Sequence, residues 1–262
     1  MKLCLHDNGY HKRLSPLALT RPVSEIRFGI FTITESWCKQ LGIDSSQVAY
    51  NTEEYIHSKY PKSTSADLTL AGNIKPTASI VQLVKVMSEN EKLLVNGSWI
   101  ATKGDGSVLN EVEQIVPVLE LQDIWDLFEK AAEAIQTDLS YIREHGSSHM
   151  LSSTNQLIGN DVFIEAGAKV EHVILNSETG PIYIGKDAEV MEGSVIRGPF
   201  VLGEQGVVKM SAKIYGPTVI GPYCKVGGEI TNSVMQAYSN KGHDGFMGNS
   251  VVGEWCNFGA DT

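Results

Sequence analysis

A chain of 262 residues, 42% hydrophobic and 20% charged, has enough apolar content for two ordinary domain cores. Its net charge of −10, without any Lys/Arg-rich run, excludes a general nucleic-acid binder. No segment approaches the roughly 18 consecutive apolar residues of a membrane span. The opening MKLCLHDNGYHKR lacks the apolar core and small-residue cleavage site of a secretory leader, so a cytoplasmic protein with no membrane contact is expected. The four cysteines, Cys4, Cys38, Cys224 and Cys256, have no CxxC or metal-ligand spacing. They read as reduced thiols, with no metal site.

In chain order, KLCLH reads as a first strand, followed by the polar loop HDNGYHKR. SEIRFGIFTITESWCKQLG combines a strand-like FGIFTI with a helical TESWCKQLG. EKLLVNGSWIAT reads as strand and turn, the turn at Asn96-Gly97. LQDIWDLFEKAAEAIQTDLSYIREH is an amphipathic helical stretch, with Ile124, Leu127, Phe128, Ala131 and Ile135 on one stripe. Residues 1–150 therefore have α/β character. The Ser- and Gly-rich GSSHMLSSTNQ reads as a linker, and His149 within it is given no role.

From residue 151 to 262 the pattern changes to a six-residue period. Ile158, Ile164 and Val170 begin it. Ile184, Val190, Ile196, Leu202, Val208, Ile214, Ile220 and Val226 continue it, and Phe246, Val252 and Phe258 resume it. Small residues follow many of these positions by four, as at Ala188, Ser194, Gly206 and Ala212. A helix requires a period near 3.6 and a simple strand a period of 2. A period of six fits short strands joined by corners, three to a triangular coil, with the aliphatic side chain pointing inward and stacking on its neighbours. The expected fold is a left-handed parallel β-helix. Two interruptions, Asn176–Tyr183 and Gly227–Gly245, break the period, and the second is expected to hold a protruding loop.

The stretch KGHDGFMGNSVVGEWCNFGADT resembles the catalytic coil of bacterial glucosamine-1-phosphate N-acetyltransferases, members of the hexapeptide acyltransferase family. The resemblance implies that His243 is the catalytic base and that acetyl-CoA is the acyl donor. Phe246 stands where the family has a substrate-contacting Tyr, Glu229 matches a family Glu, and Lys213 stands where a phosphate-binding Arg is expected. Such chemistry needs a base near neutral pKa for the attacking amine and a cation for the sugar phosphate. Lys213, Lys225 and Lys241 are the candidate cations, with Arg197 beside them. Two departures are visible. The family's Lys before the loop is replaced by Thr231 or Asn232, and its Asn-Tyr pair would lie beyond Thr262, so the coil end is expected to be truncated.

KRLSPLALTRPVSEIR is similar to the start of sugar nucleotidyltransferases, with Arg13, Pro16, Leu17, Arg21 and Pro22 on the family frame. The two halves together resemble the bifunctional enzymes that form UDP-N-acetylglucosamine. That resemblance implies nucleotide-phosphate contacts from Gly9, Arg13 and Arg21, and a Mg²⁺ ion. The phosphate loop, however, keeps only Gly9, the Lys after Arg-Pro is Val23, and the Mg²⁺-binding Asp falls at Ser98 in LLVNGSW. This half reads as a variant or degenerate nucleotidyltransferase that either uses Arg13, Arg21 and Arg27 differently or only binds a sugar nucleotide. Three readings follow: an N-acyltransferase acting on an amino-sugar phosphate or nucleotide sugar; a non-catalytic sugar-nucleotide-binding protein on a trimerising scaffold; and a nucleotidyltransferase with atypical ligands. The flat faces of a β-helix favour packing about a threefold axis, so a homotrimer is expected.

Overall fold

A computed structural model of the chain describes residues 1–63, 65–104 and 110–260. By backbone contacts the chain divides between Ile124 and Trp125. The sequence boundary near 150 followed the Ser/Gly-rich run instead. The helical stretch before that run groups with the second unit.

The first unit is built on a six-stranded mixed sheet. Its elements are β1 (Leu3–His6), α1 (Ile33–Leu41), β2 (Val48–Asn51), β3 (Leu68–Ala71), β4 (Ile74–Lys75), α2 (Ala78–Lys85), β5 (Glu91–Val95), β6 (Ser98–Lys103), β7 (Asn110–Gln114) and β8 (Leu119–Glu120). The sheet order is β2-β1-β3-β6-β5-β7, and β4 and β8 form a separate pair. β1 runs parallel to β2 and β3, whereas β6 is antiparallel to both β3 and β5. Alternate residues share a face, so Leu3, Leu5, Val48, Tyr50, Leu68 and Leu70 are buried together. α1 begins with a capping box, Thr32 and Glu35 each accepting from the other's backbone N–H, and ends at left-handed Gly42. Its Trp37 indole donates to the Ile74 carbonyl at 3.0 Å.

The expected KLCLH strand and the Asn-Gly hairpin are present, Asn96 and Gly97 both taking positive φ at the β5–β6 turn. FGIFTI forms no strand. Gly29 turns the chain at φ +92, and fully buried Lys75 donates to the Phe28 carbonyl at 2.6 Å and to Ser36 Oγ at 2.7 Å. Those bonds hold the segment as a bend packed against the start of α1.

The second unit opens with α3 (Asp126–Glu129) and α4 (Ala131–His145), the single predicted helix being broken at Lys130. The Ser/Gly-rich run that follows is tied to the first coil: the His149 N–H donates to the Ile164 carbonyl at 2.8 Å, and the Ile164 N–H to Ser148 Oγ at 3.0 Å. Beyond it, three parallel sheets of six, five and six strands form a β-helix. Partners such as Ile182, Phe200 and Thr218 lie 18 residues apart, three hexapeptides to a coil. The periodic residues point inward and are buried, among them Val190, Ile196, Leu202, Val208, Ile214 and Ile220. Each contributes about 1.5–3 kcal/mol by leaving water.

Both interruptions turn out to be coils of altered length. Asn176–Tyr183 lengthens one coil to 20 residues, Val162 pairing with Ile182. It also supplies Gly180-Pro181, stacked beneath Gly198-Pro199. A Cβ on Gly198 would lie 2.0 Å from the Gly180 carbonyl oxygen, so only glycine fits there. In Gly227–Gly245 no long loop protrudes. Glu229–Thr231, Val234–Met235 and Asn240–Lys241 are strands of the three faces, and the turn over residues 242–245 stays stacked on Gly227 and Gly228. Among the described residues no helix is long and apolar enough to cross a membrane.

Candidate functional site

Three of the residues singled out from sequence stand in one row of the β-helix. Strands Lys213–Tyr215, Glu229–Thr231 and Phe246–Gly248 are consecutive in one sheet, with Lys213 paired to Glu229 and Glu229 to Phe246. Paired residues project from the same face about 4.8 Å apart. Lys213 and Phe246 are exposed and Glu229 is half-buried. His243 lies three residues before Phe246 in the turn entering that strand. It is exposed and has no side-chain hydrogen bond among the described residues. The turn sits over Glu229, whose N–H donates to the Gly245 carbonyl at 2.9 Å. A cavity of about 320 Å³ opens here, lined by Lys241, His243, Phe246, Met247, Ser250 and Phe258 among others. Thr231 occupies the row beside Glu229, between Tyr215 and Gly248, so no lysine stands at that point.

Lys241 differs from its expected place at the mouth of the site. Its register partner is Val226, which puts it in the inward column of the coil. Its ammonium donates to the carbonyls of His243 at 2.6 Å, Gly227 at 3.2 Å, Asp244 at 3.3 Å and Gly245 at 3.4 Å. Burial pushes its pKa below the usual lysine range, opposed by the charge of Asp244. These bonds commit the ammonium to the protein's own backbone. Lys225 belongs to a different sheet, paired with Asn240. Arg197 shares the sheet of Lys213, but one row over, paired with Asn176.

One cation was missed from sequence. A Cβ on Gly227 would lie 3.2 Å from Lys209 Cβ, and one on Gly242 would lie 3.9 Å from Lys209 Cε. The Lys209 side chain therefore climbs the corner past Gly227 to Gly242, next to His243. Its ammonium makes no hydrogen bond or ion pair among the described residues. The only signal for it was the pair of glycines one and two coils later.

In the first unit, the loop after β1 is closed by its own side chains. Asp7 is buried, and its Oδ1 accepts from the Val23 N–H at 2.8 Å. Its Oδ2 accepts from the Thr52 hydroxyl and lies 3.0 Å from His11 Nδ1. His11 Nε2 is 3.0 Å from the Tyr55 hydroxyl, which donates to the Leu19 carbonyl at 3.0 Å. Gly9, at φ +80, follows Asn8 at φ +50 and makes a tight turn. Arg13 forms a two-point pair with Asp123, both bonds 2.7 Å. Arg21 is half-buried, and buried Arg27 donates to the Ile30 carbonyl. Gly9, Arg13 and Arg21 thus lie along one segment, but Arg13 is turned to a carboxylate of its own chain.

The resemblance put the Mg²⁺-binding Asp at Ser98. Ser98 begins β6, one strand away from β3. The strand-then-Gly that adjoins β1 is LAGN: the Gly72 N–H donates to the His6 carbonyl at 2.7 Å, and Asn73 follows. Asn73 is an amide, donating to Glu120 Oε1 at 2.9 Å. Glu120 also accepts from the Tyr10 hydroxyl at 2.9 Å and from Gln122 at 2.7 Å. Mg²⁺ favours octahedral oxygen ligands with one or two free carboxylates. One carboxylate whose two oxygens already accept from Tyr10, Asn73 and Gln122 is a poor match for that ion.

Residues 3–146 match the profile of a protein family described as sugar nucleotidyl transferase. The chain belongs to this family. No curated protein matches it. Its α/β half is thus a sugar-nucleotidyltransferase-like domain, which links the chain to sugar-nucleotide metabolism. Within this nucleotidyltransferase-like domain the Asp7–His11–Tyr55 network was not read from sequence. Its members lie 4 and 44 residues apart, and no local pattern marks them.

Proposed function

We propose that the chain is an N-acyltransferase that uses acetyl-CoA to acylate the amine of an amino-sugar phosphate, with the reaction on the β-helix. The row Lys213–Glu229–Phe246 crowned by exposed His243 is the observation that carries this reading. Lys213 takes the phosphate, Phe246 lies against the sugar ring, and Glu229 orients the amine or a hydroxyl. The amine nitrogen attacks the thioester carbonyl while His243 removes its proton; the C–N bond forms, the C–S bond breaks, and the proton passes to the departing thiolate. Backbone N–H groups of the coil steady the developing oxyanion. A positioned base of this kind is worth about 10²- to 10⁴-fold in rate. The site is completed between subunits of a homotrimer, and the protein works in the cytoplasm on small sugar substrates.

The nucleotidyltransferase-like domain has a second role. The family match supports binding of a sugar nucleotide, and the bonding of Asp7 and Arg13 within the chain supports binding without nucleotidyl transfer. The test has two arms, both in the full-length protein. Thiol release from acetyl-CoA should depend on glucosamine-1-phosphate; its absence overturns the acyltransferase reading. Pyrophosphate release from UTP and N-acetylglucosamine-1-phosphate with Mg²⁺ should stay at background. Robust release refutes the binding-only role.

A further inference from the structure

The inward column of one β-helix sheet runs Val170, Val190, Val208, Val226 and then Lys241. The four valines are almost fully buried, and Lys241 is only 6% exposed. A hexapeptide coil places an aliphatic residue here because the position faces the interior of the prism. An ammonium in the same place must be matched by polar groups. The match comes from four carbonyls, three of them from the consecutive residues His243, Asp244 and Gly245. The shortest bond, 2.6 Å, goes to the carbonyl of His243 itself.

Three consecutive carbonyls converging on one cation define the path of a turn. An ordinary strand points alternate carbonyls in opposite directions, so this convergence is a specific backbone arrangement. Gly245, at φ +115, makes it attainable. Its carbonyl is also the acceptor for the Glu229 N–H. One peptide thus joins the cation, the turn and the strand that carries Glu229.

We infer that Lys241 is the positioning residue for His243: an internal cation that gathers the 243–245 carbonyls and so sets the imidazole beside Glu229 and Phe246. The catalytic part of this inference rests on the function proposed above; the fixing of the turn does not. Without the ammonium the three carbonyls lose their common donor, and among the described residues only that of Gly245 keeps another, the Glu229 N–H.

The test replaces Lys241 with Met, which fills an inward position as Met235 does in a neighbouring column. Hydrogen exchange is followed at the amides of residues 242–246 and, as internal reference, at Val226 and Ile230. In Lys241→Met the turn amides should exchange at least about 10-fold faster while the reference strands are unchanged. In the full-length protein kcat should fall by about 10- to 100-fold with the KM for acetyl-CoA within about twofold. Lys241→Gln, a neutral donor one bond shorter, should fall between Met and the native residue, and it carries the same comparison if the Met variant does not fold. Turn amides exchanging at the wild-type rate in a folded variant overturn the inference, as does an unchanged kcat in an active enzyme. If wild-type protein shows no turnover, the proposed function falls separately. The exchange data and the His243 ring resonance then decide: an unmoved resonance in Lys241→Met contradicts the positioning role.

Discussion

The loop after β1 and the turn before Phe246 both sit where family resemblance puts chemistry, and they are built in opposite ways. In the first, Asp7 spends both oxygens on Val23, Thr52 and His11, and Arg13 is paired with Asp123. In the second, the internal bonding is carried by Lys241 from inside the coil, and His243 is left exposed. A site that must accept a ligand needs polar ends that the fold has not consumed. By that measure the β-helix turn keeps a polar side chain available, whereas Asp7 and Arg13 in and after the β1 loop are already engaged.

Removing the anchor of the closed loop should have the largest effect. Asp7→Ala deprives Val23, Thr52 and His11 of a buried acceptor, and should destabilise the first unit by about 3 kcal/mol. Denaturant unfolding followed by Trp fluorescence checks it; a loss under about 1 kcal/mol would mean that the network does not hold the loop.

The open turn should respond in ligand binding instead of stability. Lys213→Met should raise the KM for glucosamine-1-phosphate by about 10- to 100-fold with kcat little changed, because uniform binding is lost. Glucosamine without its phosphate should show no such change. Equal effects on both acceptors would remove Lys213 from the phosphate. Lys209→Met, acting from the corner beside Gly242, should raise the same KM by only about three- to tenfold. An effect larger than that of Lys213→Met would move the phosphate to the corner.

A smaller contrast concerns reactivity. Burial, and the nearby carboxylates of Glu25, Glu35 and Asp44, push the Cys38 thiol up to about 11. The thiolate is the reactive form, so at pH 8 its alkylation by iodoacetamide should be about 100-fold slower than that of an exposed thiol of ordinary pKa. Labelling at the ordinary rate would mean that the α1 surface opens readily.

The β-helix could be read from sequence because its physics is local and repeated: each coil must place an aliphatic residue inward at the same step, and Val190 through Val226 do so. The β5–β6 hairpin was readable because Asn96-Gly97 suits positive φ at both positions. FGIFTI misled because its apolar residues pack as a bend fixed by Lys75, a residue more than 40 positions away. Lys241 misled for a related reason. A lysine invites a surface reading, and only the register with Val226 reveals that it points inward. Lys209 was invisible because its course depends on glycines in later coils. The row of Lys213, Glu229 and Phe246 was identified through resemblance, while its alignment became apparent only with the strand pairing. In each case a side chain's role depended on chain brought near by folding, which spacing alone does not encode.

The most direct measurement sets the two regions against each other in one assay, acetyl-CoA thiol release with glucosamine-1-phosphate by full-length protein. His243→Ala should lower kcat by about 10²- to 10⁴-fold. His11→Ala, in the closed loop, should leave the folded protein's kcat within about twofold. Full turnover in His243→Ala, or an equal loss in folded His11→Ala, would contradict the assignment of the chemistry to the β-helix turn.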